Sequence, residues 1–294
     1  YTTCSITQTR VQVTGGGTPV LTTAPIAMTT RERFQAVMRF EPFDRLPMIE
    51  WASWWSETLT RWYDEGLPRS LQKADELWRY FGLEVYRQAW CRPVHWEAPR
   101  PTAHGAGILT CMEDYERLHH HFFQVLDQWP VNMAELERWA EEQRRGEIVI
   151  WFTLDGFFWL PRTLLGIERH LYSFYDQPAL LHRINRENAA WMCTVIDRIC
   201  DVCTPDFMTF AEDMSYNHGP MLSKALFDEF LLPYYQMVVP RLHARGIIAI
   251  VDSDGNIGPA ADWFETAGLD GVLPLERQAG VDVAALRARH PRMK

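Results

Sequence analysis

The chain has 294 residues, 47% hydrophobic and 23% charged, with a formal net charge of −9 at pH 7. That length supports a sizeable core in one domain, and an acidic balance without a Lys/Arg stripe excludes nucleic acid as a partner. No apolar run reaches the roughly 18 residues of a membrane helix, and six irregularly spaced cysteines form no secreted disulfide framework.

Residues 1–27 are Thr-rich, with Gly15, Gly16 and Gly17 in a row and few large apolar groups, so they read as a disordered or non-native extension. The glycines have no preceding strand and no lysine after them, which argues against a phosphate loop. Met28 opens the plausible domain, 28–294. Thr29 and Glu32 have the spacing of a capping box, and Phe34, Val37 and Met38 follow with helical periodicity. No basic start or apolar block of a signal peptide precedes them, and the chain reads as cytoplasmic.

From Leu46 onward apolar runs alternate with amphipathic stretches. LPMIEW (46–51), EIVIWFTLDG (147–156), DFMTFAED (206–213), IIAIVDSDG (247–255) and GVLPLE (271–276) predict buried strands. Helices are predicted over 179–201, 224–245, 257–267 and 281–289. The broken pattern of residues 84–130 is assigned two further strands. Strands alternating with helices predict parallel βαβ units, and hence an α/β fold of the (β/α)8 barrel type. One helix follows GVLPLE before the sequence stops, so the barrel is expected to lack its last β/α unit.

Several of these runs end abruptly in carboxylates, as the strands of a barrel enzyme do at its catalytic rim. Glu50, Glu212, Asp213, Asp252 and Asp254 are therefore candidate catalytic groups, with His218 in the polar loop YNHGP as a proton donor. Asp155 and Glu276 complete an acidic rim, Glu276 as a binding group. Asp252 and Asp254 lie two apart, so both side chains can point the same way and could ligate a metal; the competing role is a helix N-cap. Glu212 and Asp213 are neighbours, so only one can face the interior. Thirteen tryptophans predict an aromatic-lined pocket, for which Trp51, Trp54, Trp55, Phe157 and Tyr216 are the candidates. Cys200 and Cys203 read as buried helical cysteines rather than a redox pair, and His119, His120 and His121 as a solvated turn.

These segments resemble the uroporphyrinogen decarboxylase superfamily, which also contains corrinoid-dependent methyltransferases. The opening TTRERFQAVMRFEPFDRLP is similar to that family's S-R-E-R…F…P-D-R-x-P start. GFFWLPRTLLG (156–166) is similar to its G-F-x-G-x-P-[aromatic]-T-L signature, keeping Gly156, Phe157, Pro161, Thr163 and Leu164. The stretches 212–235 and 251–276 resemble an uncharacterised branch. The resemblance implies a (β/α)8 barrel and an enzyme of tetrapyrrole-linked or one-carbon metabolism, with homodimers common.

Two departures shape the expected function. Where the decarboxylases carry R-Q-A-G-R to hold a polycarboxylate porphyrin, this chain reads IEWASWWSETLTRW, and an acidic rim repels such a substrate. Where the methyltransferases hold zinc with His-x-Cys, it reads Asp252-Ser253-Asp254, which replaces thiolate by oxygen and favours a harder divalent cation. The expected function is methyl transfer or demethylation of a small-molecule or corrinoid-linked substrate, with a corrinoid as methyl carrier. The alternatives are a cofactor-free decarboxylase of porphyrin biosynthesis and a non-catalytic fragment or binding protein.

Overall fold

The computed structural model describes residues 27–126 and 128–294. The extension assigned to residues 1–27 falls almost wholly outside them. The chain divides into two units, the first formed by residues up to Arg87 together with Arg138–Ile150, the second by Gln88–Glu137 and Trp151–Lys294.

In the first unit the expected capping box is present. The Glu32 amide donates to Thr29 Oγ1 at 3.2 Å, the Thr29 amide donates to Glu32 Oε2 at 2.9 Å, and the helix Thr30–Met38 follows. Its buried Arg33 donates to both oxygens of Asp44 at 2.6 Å and also pairs with Glu84. Residues 46–51 are not the predicted buried strand. Leu46, Met48 and Trp51 are 63%, 46% and 49% exposed, so the run covers no core, and its backbone bonds to Glu84 instead of to a strand.

The strands are β1 (Val85–Cys91), β2 (Ile148–Asp155), β3 (Phe207–Ala211), the two-residue β4 (Ser215–Tyr216) and β5 (Gly219–Pro220), β6 (Ile248–Asp252) and β7 (Gly271–Leu273). The principal sheet has the order β1-β2-β3-β6-β7, and β2–β3, β3–β6 and β6–β7 pair in parallel. This is the expected βαβ pattern, realised as a five-stranded sheet. Residues 84–130 contribute one strand to it where two were expected. Lys294 lies alongside β7, donating to the Asp270 carbonyl at 2.8 Å and accepting from the Val272 amide at 3.2 Å.

Of the predicted helices, 179–201 is the 23-residue helix Pro178–Cys200. The stretch 224–245 is two helices, Lys224–Phe230 and Leu232–His243, because Pro233 has no amide to continue the first. The C-terminal prediction becomes the helix Val283–Arg289. Cys200 closes its helix and Cys203 follows it, and both are half-buried rather than core residues. Among the described residues no helix is long and apolar enough to cross a membrane.

Side chains alternate across a strand, so register decides which residues share a face. Thr153 pairs with Thr209, which pairs in turn with Ile250; two residues on, Asp155 pairs with Ala211, which pairs with Asp252. Asp155 and Asp252 thus project from the same face, separated only by the methyl of Ala211. Below them Thr153 Oγ1 and Thr209 Oγ1 bond at 2.7 Å, and Gln88 and the Trp151 indole donate to Thr153 at 3.0 and 3.1 Å. The opposite face is apolar: Phe210 packs on Phe157 and Tyr235 with ring centroids 5.9 and 5.1 Å apart.

Candidate active site at the carboxyl ends of the strands

The second unit gathers Asp155, Glu212, Asp213, Asp252, Asp254 and Glu276 where β2, β3, β6 and β7 end. Glu212 follows Phe210 by two and therefore turns to the helix-covered face. It is wholly buried, and its carboxylate accepts from the amides of Phe157, Phe158 and Trp159 at 2.8, 2.7 and 3.2 Å and from the Tyr235 hydroxyl. Burial pushes its carboxyl up to about 7, against the pull of these donors, and the Tyr235 phenol rises far above its ordinary value by burial and by the Glu212 charge. Gly156 makes this possible: a Cβ there would stand 2.2 Å from the Glu212 carboxyl carbon. Glu212 therefore joins β3 to the loop after β2 and has no oxygen left facing a substrate.

Asp213 takes the other direction. Its φ of 41° is left-handed, uncommon for a residue other than glycine, and swings the chain outward immediately after Glu212. The Glu212 amide donates to the Asp252 carbonyl at 2.8 Å, which locks the end of β3 to that of β6. Asp252 is half-buried with carboxylates for neighbours. Burial first, then the charges of Asp213 and Asp254, push its carboxyl up to about 7. Asp254 is raised by burial, Asp213 and Glu276. Asp155, buried, is raised by desolvation, with the Trp90 indole donor at 3.0 Å and the Arg92 charge pulling the other way. Removing solvent disfavours the charged form of a carboxyl, and like charges add to that.

Loops hold this group in place. The Gly255 amide donates to Glu276 Oε2 at 2.6 Å, and the buried Ser253 hydroxyl accepts from the Met214 amide at 3.1 Å. Gly255, at φ +85°, lets the loop approach the β4–β5 hairpin, where an added Cβ would stand 2.6 Å from the Tyr216 nitrogen. The hairpin carries Tyr216 and His218 at its exposed tip, their rings stacked at 5.5 Å. Arg162 donates to the Asp213 carbonyl at 3.1 Å and lies over the Trp159 ring at 5.1 Å.

The candidates from the sequence are thus distributed unevenly. Asp213, Asp252, Asp254 and Glu276 converge, as their positions at strand ends predict. Phe157 lies in the aromatic core, 1% exposed against Tyr234 and Tyr235, rather than lining a pocket. Glu50, Trp51, Trp54 and Trp55 belong to the first unit. Glu50 ends no strand there and accepts from the Ala52 amide at 3.2 Å; Trp54 packs on Trp62 and Phe81 at 5.1 and 5.5 Å; Trp51 and Trp55 are exposed. Gly156 stood out only as a signature residue, not for its place against Glu212. Tyr235 and Asn188, which donates to the Asp155 carbonyl at 2.9 Å, were not anticipated. Asp155 was, as part of the acidic rim.

The donor set does not fit a thiolate-held zinc ion. No cysteine stands among the rim residues, and the Cys91 thiol at the end of β1 is held protonated, up to about 12, by burial and Asp155. Among the described residues the rim carboxylates do not bring three ligand atoms within 4.8 Å of one another, so the paired Asp252 and Asp254 form no ready cation cage.

No protein-family model and no curated sequence matches the chain. Among solved structures the fold is similar to a methyltransferase from Methanosarcina mazei, with a TM-score of 0.61 at 16% sequence identity. The alignment covers 89% of this chain and 80% of that one. At that identity the likeness concerns the fold alone.

Proposed function

We propose that the protein is an enzyme of methyltransferase type that demethylates a small cationic substrate, an ammonium or sulfonium compound, with Asp252 as the proton-transfer group. The observation that carries this reading is the Asp252 carboxyl: half-buried at the end of β6, flanked by Asp213 and Asp254, and raised to about 7. A carboxyl that titrates near neutral pH is matched to general acid–base catalysis, here to taking the proton of the methyl acceptor. The same ring of carboxylates attracts a cation and repels an anion. The likeness of fold to a methyltransferase makes methyl transfer the reaction class to test first.

In this reading Asp213 and Asp254 hold the substrate's positive charge. The methyl group passes, with that charge, to a nucleophile such as a thiol; the C–N or C–S bond breaks and its electron pair stays on the leaving heteroatom. The ionised Asp252 takes the thiol's proton as its sulfur attacks, and the carboxyl so formed passes that proton to the released amine or, when a neutral thioether leaves, to solvent. Glu212, Tyr235 and Gly156 act through position only, holding the end of β3 against the loop after β2. The corrinoid carrier and divalent metal suggested by the resemblance have no step here.

The test is turnover of isotopically methyl-labelled trimethylammonium and dimethylsulfonium compounds with a thiol acceptor, followed by NMR. Labelled thioether is the expected product, and Asp252→Asn is expected to lose about 10²–10⁴ of the rate while staying folded. Equal turnover by wild type and variant would exclude Asp252 from the chemistry.

A second reading, cofactor-free decarboxylation, draws on the same observation, since a carbanion needs a proton near neutral pH. It requires the acidic rim to accept a carboxylate substrate. Tight binding of a polycarboxylate porphyrin, with none of a quaternary ammonium compound, would favour it over methyl transfer.

A further inference from the structure

A second group of ligating side chains lies outside the strand-end carboxylates. Asp262 and Glu265 stand three residues apart on the short helix Ala261–Thr266 and so share one of its faces. His290 follows the helix Val283–Arg289, its backbone amide tied to the Leu286 carbonyl at 2.8 Å. One ligand atom from each of the three residues lies within 4.8 Å of the other two.

His290 makes this more than an acidic surface. Its side chain is 2% exposed, while those of Asp262 and Glu265 are 75% and 45% exposed. The ring nitrogens approach Glu265 at 2.9 Å and Asp262 at 3.5 Å, yet neither makes an aligned hydrogen bond. A neutral imidazole has one N–H and one lone pair. With a carboxylate oxygen facing each nitrogen, the lone pair meets another acceptor. An unsatisfied buried nitrogen is costly; a positive ion taken by the lone pair satisfies one ring nitrogen and leaves the N–H of the other to be directed at a carboxylate.

We propose that Asp262, Glu265 and His290 form a binding site for a divalent transition-metal ion, with zinc the best match. An imidazole nitrogen with two carboxylate oxygens is a donor set that zinc accepts, whereas magnesium and calcium prefer oxygen alone. The two carboxylates are exposed and free to swing inward to the roughly 2.0–2.2 Å of zinc–nitrogen and zinc–oxygen bonds. Three protein ligands leave a fourth position for water. The ion fastens the segment after Arg289 onto the helix Ala261–Thr266, so its first effect is on stability.

Equilibrium dialysis of the full chain against zinc at neutral pH, with metal content read by plasma mass spectrometry, tests the site. One ion per chain is expected. Asp262→Asn and Glu265→Gln should each weaken binding by about tenfold or more, and the double variant should abolish it. Both carboxylates are on the surface, so these variants keep the fold, as circular dichroism checks. Asp252→Asn should retain the ion, which separates this site from the proposed catalytic group. Zinc should also raise the melting temperature of wild type but not of the double variant, and should shift one His290 ring nitrogen in the NMR spectrum. Failure of wild type to take up zinc would overturn the proposal. Equal binding by wild type and the double variant would overturn it too.

Discussion

Two neighbouring strands end in carboxyl groups that burial has pushed to about 7, and the two serve opposite ends. At the end of β3, Glu212 is enclosed by four hydrogen-bond donors. At the end of β6, Asp252 is surrounded by Asp213 and Asp254, with partial access to solvent. A perturbed carboxyl alone does not identify a catalytic group. What distinguishes the two is the set of partners: donors consume the oxygens of Glu212, whereas like charges leave those of Asp252 available to a substrate.

That contrast can be broken by exchanging the roles. The largest effect expected is the loss of about 10²–10⁴ in turnover for Asp252→Asn, with unchanged stability at neutral pH or a modest gain. Next comes Gly156→Ala, whose methyl would occupy the space of the Glu212 carboxylate. It should cost about 3 kcal/mol or more in stability by chemical denaturation, through overpacking and loss of the carboxylate's donors. A variant as stable as wild type would mean that the Glu212 cradle is dispensable.

Tyr235→Phe removes one donor from the buried Glu212 and should cost about 1–3 kcal/mol. Its effect on the titration of Asp252 should be small, since the two carboxyls face opposite sides of the sheet. A smaller effect sharpens the comparison through pH. The folded Asp252 carboxyl titrates at about 7, above its unfolded value near 3.9. The folded state therefore keeps a proton that the unfolded state has released. Stability from this group is fully present below about pH 4, falls as pH rises, and levels off above about 7. Asp252→Asn should flatten this fall, a difference of a few degrees in melting temperature by calorimetry. Parallel curves for wild type and variant would contradict the raised titration.

Much of this arrangement was legible in the sequence because its signals were local. An apolar run that stops at a carboxylate marks β2, β3 and β6, and the two-residue period places Asp252 and Asp254 together. The same logic misplaced the first strand. LPMIEW is apolar but exposed, whereas VYRQAWC forms β1 although Arg87 and Gln88 interrupt its apolar pattern. That Glu212 and Asp213 cannot share a face was evident from their adjacency. Which one turns inward depended on Tyr235, Gly156 and the left-handed turn at Asp213, all set by tertiary contacts. Phe157 and the tryptophans show the same limit: composition predicts aromatic mass but not whether it lines a pocket or fills a core. His290 met Asp262 and Glu265 only on folding, so no spacing rule could have paired them.

The most direct test of the central claim is the titration of the Asp252 side-chain carbon by carbon-13 NMR, in wild type and in Asp254→Asn. A midpoint near 7 in wild type, lower once the neighbouring charge is removed, is what the account predicts. A midpoint near the ordinary aspartate value, unchanged by Asp254→Asn, would mean that Asp252 is not poised to exchange a proton near neutral pH and would contradict it.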